Sequence, residues 1–227
     1  MVYETILSQV PFFSDLPSDT LAGLSERFHR RHFGKDQVIF HKDDVGSTLY
    51  IIMAGKVKIV LPSAEGENVI VAILSTGDFF GELSLFDGEP RSATAISTDS
   101  SEILTLDQED FIRYIKANPD ASIAILSELS LRLRRTDELL SDTAFCNLSI
   151  RLTKRLLELA DRYGQKGDAG EVRINLKLRQ QDLADMVGAT RESVNKMLRS
   201  FQKKNLLQFE KGFITILDSK ELTRQAR

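Results

Sequence analysis

Short apolar runs separated by glycines dominate the chain between Gln37 and Leu106. Val38-Ile39-Phe40, Leu49-Tyr50-Ile51-Ile52, Val57-Lys58-Ile59-Val60, Val69-Ile70-Val71-Ala72-Ile73-Leu74 and Ile103-Leu104-Thr105-Leu106 are rich in β-branched and aromatic residues, which predicts strands. Gly34, Gly46, Gly55, Gly66, Gly77 and Gly88 recur at intervals of 9 to 12 residues, the turn spacing of a sandwich or jelly-roll barrel. Helical spacing flanks this block. Leu21, Leu24 and Phe28 fall on one face behind Pro17 and Ser18, predicting a helix over residues 14–29. A second helix is predicted over 107–117 and is interrupted by Asn118-Pro119.

A longer helical run follows, from about residue 120 to 142. Leu126, Leu129, Leu133, Thr136, Leu140 and Thr143 step by three and four residues, a seam that repeats every seven as in a short coiled coil. Such a seam serves either a second copy of the chain or the helix's own domain. The polar member, Thr136, favours a dimer, because a hydroxyl there needs a partner that a ligand at the interface could supply. Around residues 141–148 the apolar seam fades into small and polar residues, which predicts a hinge. The pattern beyond it predicts a helix over 148–163, a flexible loop over 164–170 and a short strand over 172–176. Gln180 to Met186 then reads as a short helix, Gly188-Ala189 as a turn, and Thr190 as the cap of a second helix from Arg191 to about Lys204. Leu183, Ala184, Val187, Val194 and Leu198 supply apolar packing to this helix-turn-helix. Leu206 to Phe209 and Phe213 to Leu217, joined through Lys211-Gly212, read as a hairpin or wing.

Composition sharpens this picture in two places. The net charge of −3 conceals a balance of −10 over residues 1–144 and +7 over residues 145–227. A basic second half points to a polyanionic partner, with nucleic acid the obvious one. Cys146 is the only cysteine, so an internal disulfide and a cysteine-held cluster are both excluded. His29, His32 and His41 lie in one polar stretch and read as solvated surface, so no metal ligands are expected. No apolar run approaches the roughly 20 residues of a membrane span, and Met1-Val2-Tyr3-Glu4 has no basic region ahead of an apolar one. The expected location is the cytoplasm, without a membrane partner. No nucleophile stands beside an evident base, so no catalytic residue and no enzymatic role are assigned.

The candidate chemistry lies in two constellations. Phe80 to Ala95 sets a carboxylate, Glu82, and a guanidinium, Arg91, either side of what reads as a tight turn. Arg91 offers a planar fork suited to phosphate, Glu82 accepts hydrogen bonds as a sugar hydroxyl requires, and Gly81 permits close approach to the backbone. In the second constellation Arg191, Glu192, Asn195 and Lys196 group on the outward face of the second helix, at the end that enters a major groove. Arg191 suits guanine O6 and N7, Glu192 suits cytosine N4, and Lys196 suits guanine or phosphate. Lys177, Arg179, Arg199, Lys203 and Lys204 are candidate phosphate neighbours.

Three stretches together resemble the cyclic-AMP receptor protein and fumarate-nitrate regulator (CRP/FNR) family, and the resemblance covers nearly the whole chain. Phe80 to Ala95 resembles that family's phosphate-binding cassette, Arg132-Leu133-Arg134-Arg135-Thr136 its dimerising ligand helix, and Val187 to Lys196 its recognition segment. In detail all three look most like the actinobacterial cyclic-AMP receptor proteins. The resemblance implies an α+β chain with three parts. Residues 1–118 would form a cyclic-nucleotide-binding β-roll (jelly-roll), residues 119–144 a long dimerisation helix and hinge, and residues 145–227 a winged helix-turn-helix domain. It further implies a homodimer, joined along Leu126, Leu129, Leu133 and Leu140, with cyclic AMP as effector rather than cofactor. Gly81, Glu82 and Leu83 would hold the ribose and cyclic phosphate edge, Arg91 and Ser92 the phosphate, Thr136 the adenine, and Arg132 would support the pocket.

The chain departs from the family pattern at three positions. Asp137 stands where a small Ser or Asn from the partner subunit is common, and it can only accept hydrogen bonds. Lys196 replaces a frequent Arg and cannot form the bidentate fork, while Arg179 replaces a capping Thr. The expected function is a ligand-gated transcription regulator acting on two-fold symmetric DNA, with RNA polymerase as a further partner. The alternatives are the same architecture gated by cyclic di-GMP or by no ligand, and a cyclic-nucleotide module that regulates a partner protein.

Overall fold

The computed structural model describes residues 7, 10, 12, 13, 24, 26–168 and 170–225. The helix expected over 14–29 lies largely outside them, although Leu24 and Phe28 are described and buried. The chain falls into two compact units, Met1–Gly66 with Ile70–Thr136, and Glu67–Val69 with Asp137–Arg227.

Among the described residues of the first unit, eight strands form two four-stranded sheets. β1 (His29–Phe33), β8 (Ser101–Asp107), β3 (Thr48–Ala54) and β6 (Phe79–Phe80) lie side by side in that order. The other sheet runs β2 (Val38–Phe40), β7 (Thr94–Ser97), β4 (Lys56–Pro62) and β5 (Asn68–Ser75). Every apolar run read as a strand is one. The runs are nearly continuous because β3 and β8 are buried on both faces, and successive side chains of a strand point to opposite sides. Leu49, Ile51 and Met53 share a core with Phe79, Leu104 and Leu106, whereas Ile52 packs with Val57, Phe80, Ala95 and Ile103 in another. Antiparallel register sets Leu49 opposite Leu106 and Ile51 opposite Leu104.

Helices cover the first of these cores. α1 (Leu83–Asp87) stands where a tight turn was expected between Glu82 and Arg91, and Gly88 ends it with φ 74°. The intervening Leu83-Ser84-Leu85 carries apolar residues with a buried face, Leu85 and Ser84, which sustains one helical turn. α2 (Gln108–Ala117) buries Phe111 and Tyr114. The Tyr114 hydroxyl donates to the Phe12 carbonyl, and burial pushes its pKa up to about 12. Asn118 closes α2 by donating its side-chain amide to the Tyr114 carbonyl at 2.9 Å. Pro119, which has no N–H to leave unpaired, opens the next helix.

That helix, α3 (Pro119–Phe145), outlasts the expected end at 142. Its burial fades along its length: Ala121 and Ile125 are buried, Leu129 packs against the same core, and Leu126, Leu133 and Leu140 are 62, 62 and 69 % exposed. Leu129 lies roughly 60° around the helix from Leu126, so it faces its own domain rather than the exposed leucine stripe. Thr136 also corrects an expectation. Its hydroxyl donates to the Arg132 carbonyl at 3.0 Å, a local bond available to Thr within any helix, so it does not demand an outside partner.

The second unit contains α4 (Leu148–Tyr163), whose first turn is capped by the Asn147 side chain accepting from the Ile150 N–H at 3.1 Å. Leu152, Leu156 and Leu159 form its buried stripe. The stretch 164–170, expected as a flexible loop, begins instead with β9 (Gly164–Lys166), because its backbone pairs with β10 (Val172–Ile174). β10 in turn pairs with β12 (Phe213–Ile216), and β12 with β11 (Leu207–Glu210), giving one antiparallel sheet. The turn Lys211-Gly212 has φ of 52° and 85°, the left-handed pair a two-residue hairpin needs. α5 (Gln180–Val187), α6 (Arg191–Lys203) and α7 (Ser219–Arg224) complete the unit.

Phe111, fully buried between the rings of Phe12 and Phe86, tests the first core. Phe111→Ala is expected to lower stability by about 3–5 kcal/mol in denaturant titration, whereas Val45→Ala, at a position 95 % exposed, is expected to leave it unchanged.

Candidate functional site

The sheets bring Arg91 and Glu82 to one place from opposite ends of α1. Arg91 is held by its backbone first: its N–H donates to the Asp44 carbonyl and its carbonyl accepts from the Asp43 N–H, both at 2.8 Å. Its side chain is then directed into the roll, where Nη2 donates to the Thr48 carbonyl at 2.8 Å and Nη1 to the Gly81 carbonyl. The guanidinium lies 4.5 Å from the Phe40 ring centre and 5.5 Å from that of Tyr50, and Tyr50 stacks on Phe80 at 5.0 Å. Only 4 % of Arg91 is exposed. Burial draws its pKa below the ordinary arginine value, opposed by Tyr50 and Glu82.

Two glycines make room for this guanidinium. A Cβ on Gly46 would sit 2.2 Å from Arg91 Nε, and one on Gly81 would sit 2.8 Å from Nη1. Gly81 also has φ of 80°, a conformation that side chains other than hydrogen rarely adopt. Gly81 was read from the sequence for its backbone freedom. Gly46 was read only as a turn, since nothing local to it announces a contact with a residue 45 positions away.

Glu82 is buried to 4 % exposure beside it. Its carboxylate accepts from Arg132 Nη1 at 3.1 Å, while Arg132 Nη2 donates to the Phe79 carbonyl at 2.7 Å. Glu128, one turn earlier on α3, accepts from Arg132 Nε at 3.3 Å, and the guanidinium stacks 4.4 Å from the Phe79 ring centre. Burial pushes the Glu82 pKa up, with Arg132 and then the backbone N–H pulling it back. Glu128 was not singled out from the sequence, although its i, i+4 spacing to Arg132 is a readable signal. Gly81, Glu82, Arg91 and Arg132 therefore converge. Leu83, Ser92, Thr136 and Asp137 are exposed, with Thr136 one helical turn beyond Arg132.

The second constellation is built on α5 and α6. Leu183, Ala184, Met186 and Val187 of α5 and Val194, Leu198 and Phe201 of α6 are buried. Thr190 caps α6 by accepting from the Ser193 N–H at 3.2 Å. The start of α5 is secured from the opposite direction to the usual cap: Asp182 accepts from the Arg179 N–H at 2.9 Å, the reciprocal half of a capping box. Arg191, Glu192 and Lys196 are exposed at the start of α6, and Arg199 and Lys203 further along it. Asn195 is half-buried and accepts from Gln180 Nε2 at 3.2 Å. Lys177 and Arg179 are exposed beside the wing, whose Gly212 carbonyl accepts from the Leu178 N–H at 2.7 Å. Exposed cations on a helix that leads with its N-terminal turn suit a phosphate backbone and the base edges within a groove. Among the described residues no group of three or more His, Cys, Asp or Glu could hold a metal ion, and no helix is long and apolar enough to cross a membrane.

Comparison with known proteins agrees in both halves. Residues 30–118 match the cyclic nucleotide-binding domain family, and residues 150–225 match the Crp-like helix-turn-helix domain family. The CRP-like cAMP-activated global transcriptional regulator of Mycobacterium tuberculosis is 34% identical over 224 residues, 99% of this chain and 100% of the relative. The cAMP-activated global transcriptional regulator CRP of Salmonella typhimurium is 29% identical over 189 residues, 83% of this chain and 89% of that protein. Among solved structures, the c-di-GMP-responsive global regulator CLP of Xanthomonas campestris aligns with a TM-score of 0.74 at 25% identity, covering 87% of this chain and 99% of that one. With both of its halves matched in order and a relative this similar over its full length, the chain belongs to the CRP family of transcription regulators.

Proposed function

We propose that the chain is a homodimeric transcription regulator that binds cyclic AMP within its N-terminal β-roll and two-fold symmetric DNA through α6. The observation that carries this reading is the pair of buried opposite charges, Arg91 and Glu82, meeting at Gly81. A desolvated guanidinium whose terminal nitrogens donate to the Gly81 and Thr48 carbonyls gains from an anionic acceptor, and a cyclic phosphate supplies one. A desolvated carboxylate gains equally from a donor, and a ribose hydroxyl supplies that. Gly81, Leu83 and Ser92 would border the cyclic phosphate and ribose, Arg132 would support Glu82, and Thr136 would meet the adenine. The relatives' cyclic-AMP activation supports the same effector.

In this reading residues 1–118 bind the nucleotide, residues 119–144 dimerise and hinge, and residues 145–227 bind DNA. The exposed leucines Leu126, Leu133 and Leu140 would close against their counterparts in a second copy, with Leu129 at the inner edge. Two copies would present their recognition helices to successive major grooves about 34 Å apart. Arg191, Glu192, Asn195 and Lys196 would read bases, with Lys177, Arg179, Arg199 and Lys203 on phosphates. Such a protein works in the cytoplasm and acts on RNA polymerase. Cyclic di-GMP is the competing effector, since Asp137 leaves the choice of nucleotide open and the Xanthomonas regulator responds to that nucleotide.

Calorimetry with cyclic AMP tests the pocket. Arg91→Ala, which removes the charge-assisted phosphate contacts, is expected to weaken binding by about 2 kcal/mol or more, and undiminished affinity would rule the assignment out. Tight binding of cyclic di-GMP with none of cyclic AMP would favour the competing effector.

The raised Glu82 pKa predicts a pH dependence. The ionised carboxylate is the better acceptor for a ribose hydroxyl, so affinity is full above the raised pKa and is lost as pH falls through it. That loss begins above 4.5, the ordinary glutamate value. Stability carries the opposite sign: the folded state holds this proton more tightly than the unfolded state, so the Glu82 contribution falls as pH rises from the ordinary value through the raised one. Nucleotide titrations carried from neutral pH down to the ordinary glutamate value of 4.5 should show the loss in the unsubstituted protein and a flatter profile in Glu82→Gln.

A further inference from the structure

One polar side-chain contact joins the two helices of the helix-turn-helix. Gln180, the first residue of α5, donates its Nε2 to Asn195 Oδ1 on α6 at 3.2 Å. Asn195 lies one turn after Arg191 and beside Lys196, on the face offered to DNA. Its side-chain amide has two ends, an acceptor oxygen and a donor nitrogen, and the end turned outward decides which bases it suits. Adenine is read with both ends at once, through N6 and N7.

We propose that Gln180 sets the base preference of Asn195 by holding its oxygen against α5, so that only the Nδ2 donor faces the groove. Gln180 is thus a positioning residue, and this inference rests on α6 being the DNA-reading helix. The direction of the bond follows from where Gln180 sits. The first N–H groups of α5 carry positive partial charge, which favours the glutamine oxygen on the side of the helix start and agrees with Nε2 as the end that meets Asn195. With its oxygen turned back to α5, Asn195 suits the acceptors that set bases apart, guanine O6 and thymine O4, whereas N7 is offered by both purines and does not discriminate between them. The bidentate adenine pairing is closed to it.

Gln180→Glu inverts the arrangement without removing a side chain. A carboxylate only accepts, so Asn195 must turn its Nδ2 inward and its Oδ1 outward, toward donors such as adenine N6 or cytosine N4. A glutamate at the first position of a helix is favourable with respect to the helix dipole, so the variant is expected to fold. Its added charge lowers affinity for all sequences alike, which separates that effect from base preference.

The test is competition binding of palindromic duplexes carrying each of the four bases at every position of the half-site, with cyclic AMP present. For the unsubstituted protein one position should prefer guanine or thymine. Gln180→Glu should move that position toward adenine or cytosine by roughly fivefold or more. Gln180→Ala should flatten it, and Gln180→Glu should change no base preference in an Asn195→Ala background. Gln180→Glu retaining the original preference at every position, while still binding DNA selectively, would overturn the inference alone. Absence of sequence-selective binding by the unsubstituted protein would overturn the DNA reading and this inference with it.

Discussion

A buried acid, Glu82, and a buried base, Arg91, are held out of water next to one another, and the first unit is organised around keeping them there. Burying an unpaired carboxylate or guanidinium costs several kcal/mol, so each must be given fixed partners. Arg91 has the carbonyls of Gly81 and Thr48 and the faces of Phe40 and Tyr50. Glu82 has Arg132, from a helix that begins 37 residues further along the chain. The sheets exist in the register that delivers those partners: Tyr50 opposite Phe80 aligns the rings, and the Asp43 and Asp44 backbone groups fix Arg91.

The Glu82 to Arg132 contact also gives the pocket a physical route outward. Arg132 sits within the run of α3 that carries Leu126, Leu133 and Leu140 as an exposed stripe. In the proposed reading, a ligand that donates to Glu82 would compete with Arg132 for it, and so act on the stretch of helix through which two copies would meet. A coupling of this kind needs only about 1–3 kcal/mol of difference between states to matter, less than a buried carboxylate costs when left unpaired. The basic second unit supplies the other end: Arg191, Lys196, Arg199 and Lys203 on one helix, packed through Val194, Leu198 and Phe201.

The features legible in the sequence are those set by local periodicity and composition. The strands of the roll, the long helix, Thr190 as a cap and the Lys211-Gly212 turn follow from residues adjacent in the chain. Gly81, Glu82 and Arg91 were legible because they fall within one short stretch. Gly46 and Thr48, which also shape the Arg91 site, were not, since only the pairing of distant strands makes them neighbours. The same limit explains β9: Gly164-Gln165-Lys166 has no strand propensity of its own and is extended because β10 supplies a partner. Thr136 failed in the other direction. Its spacing placed it on a seam, but a hydroxyl one turn after a helical carbonyl can share that acceptor and satisfy itself locally, which heptad counting does not register. The Gln180 to Asn195 contact likewise joins two helices and is invisible to a reading of either alone.

Fluorescence anisotropy of a labelled palindromic duplex, titrated with protein at one salt concentration with and without cyclic AMP, tests most directly the claim that the buried pair of charges is the input of a switch. Nucleotide in the pocket is predicted to tighten DNA binding by roughly 5- to 150-fold. Equal affinity in both titrations, with cyclic AMP shown by calorimetry to be bound, would contradict it.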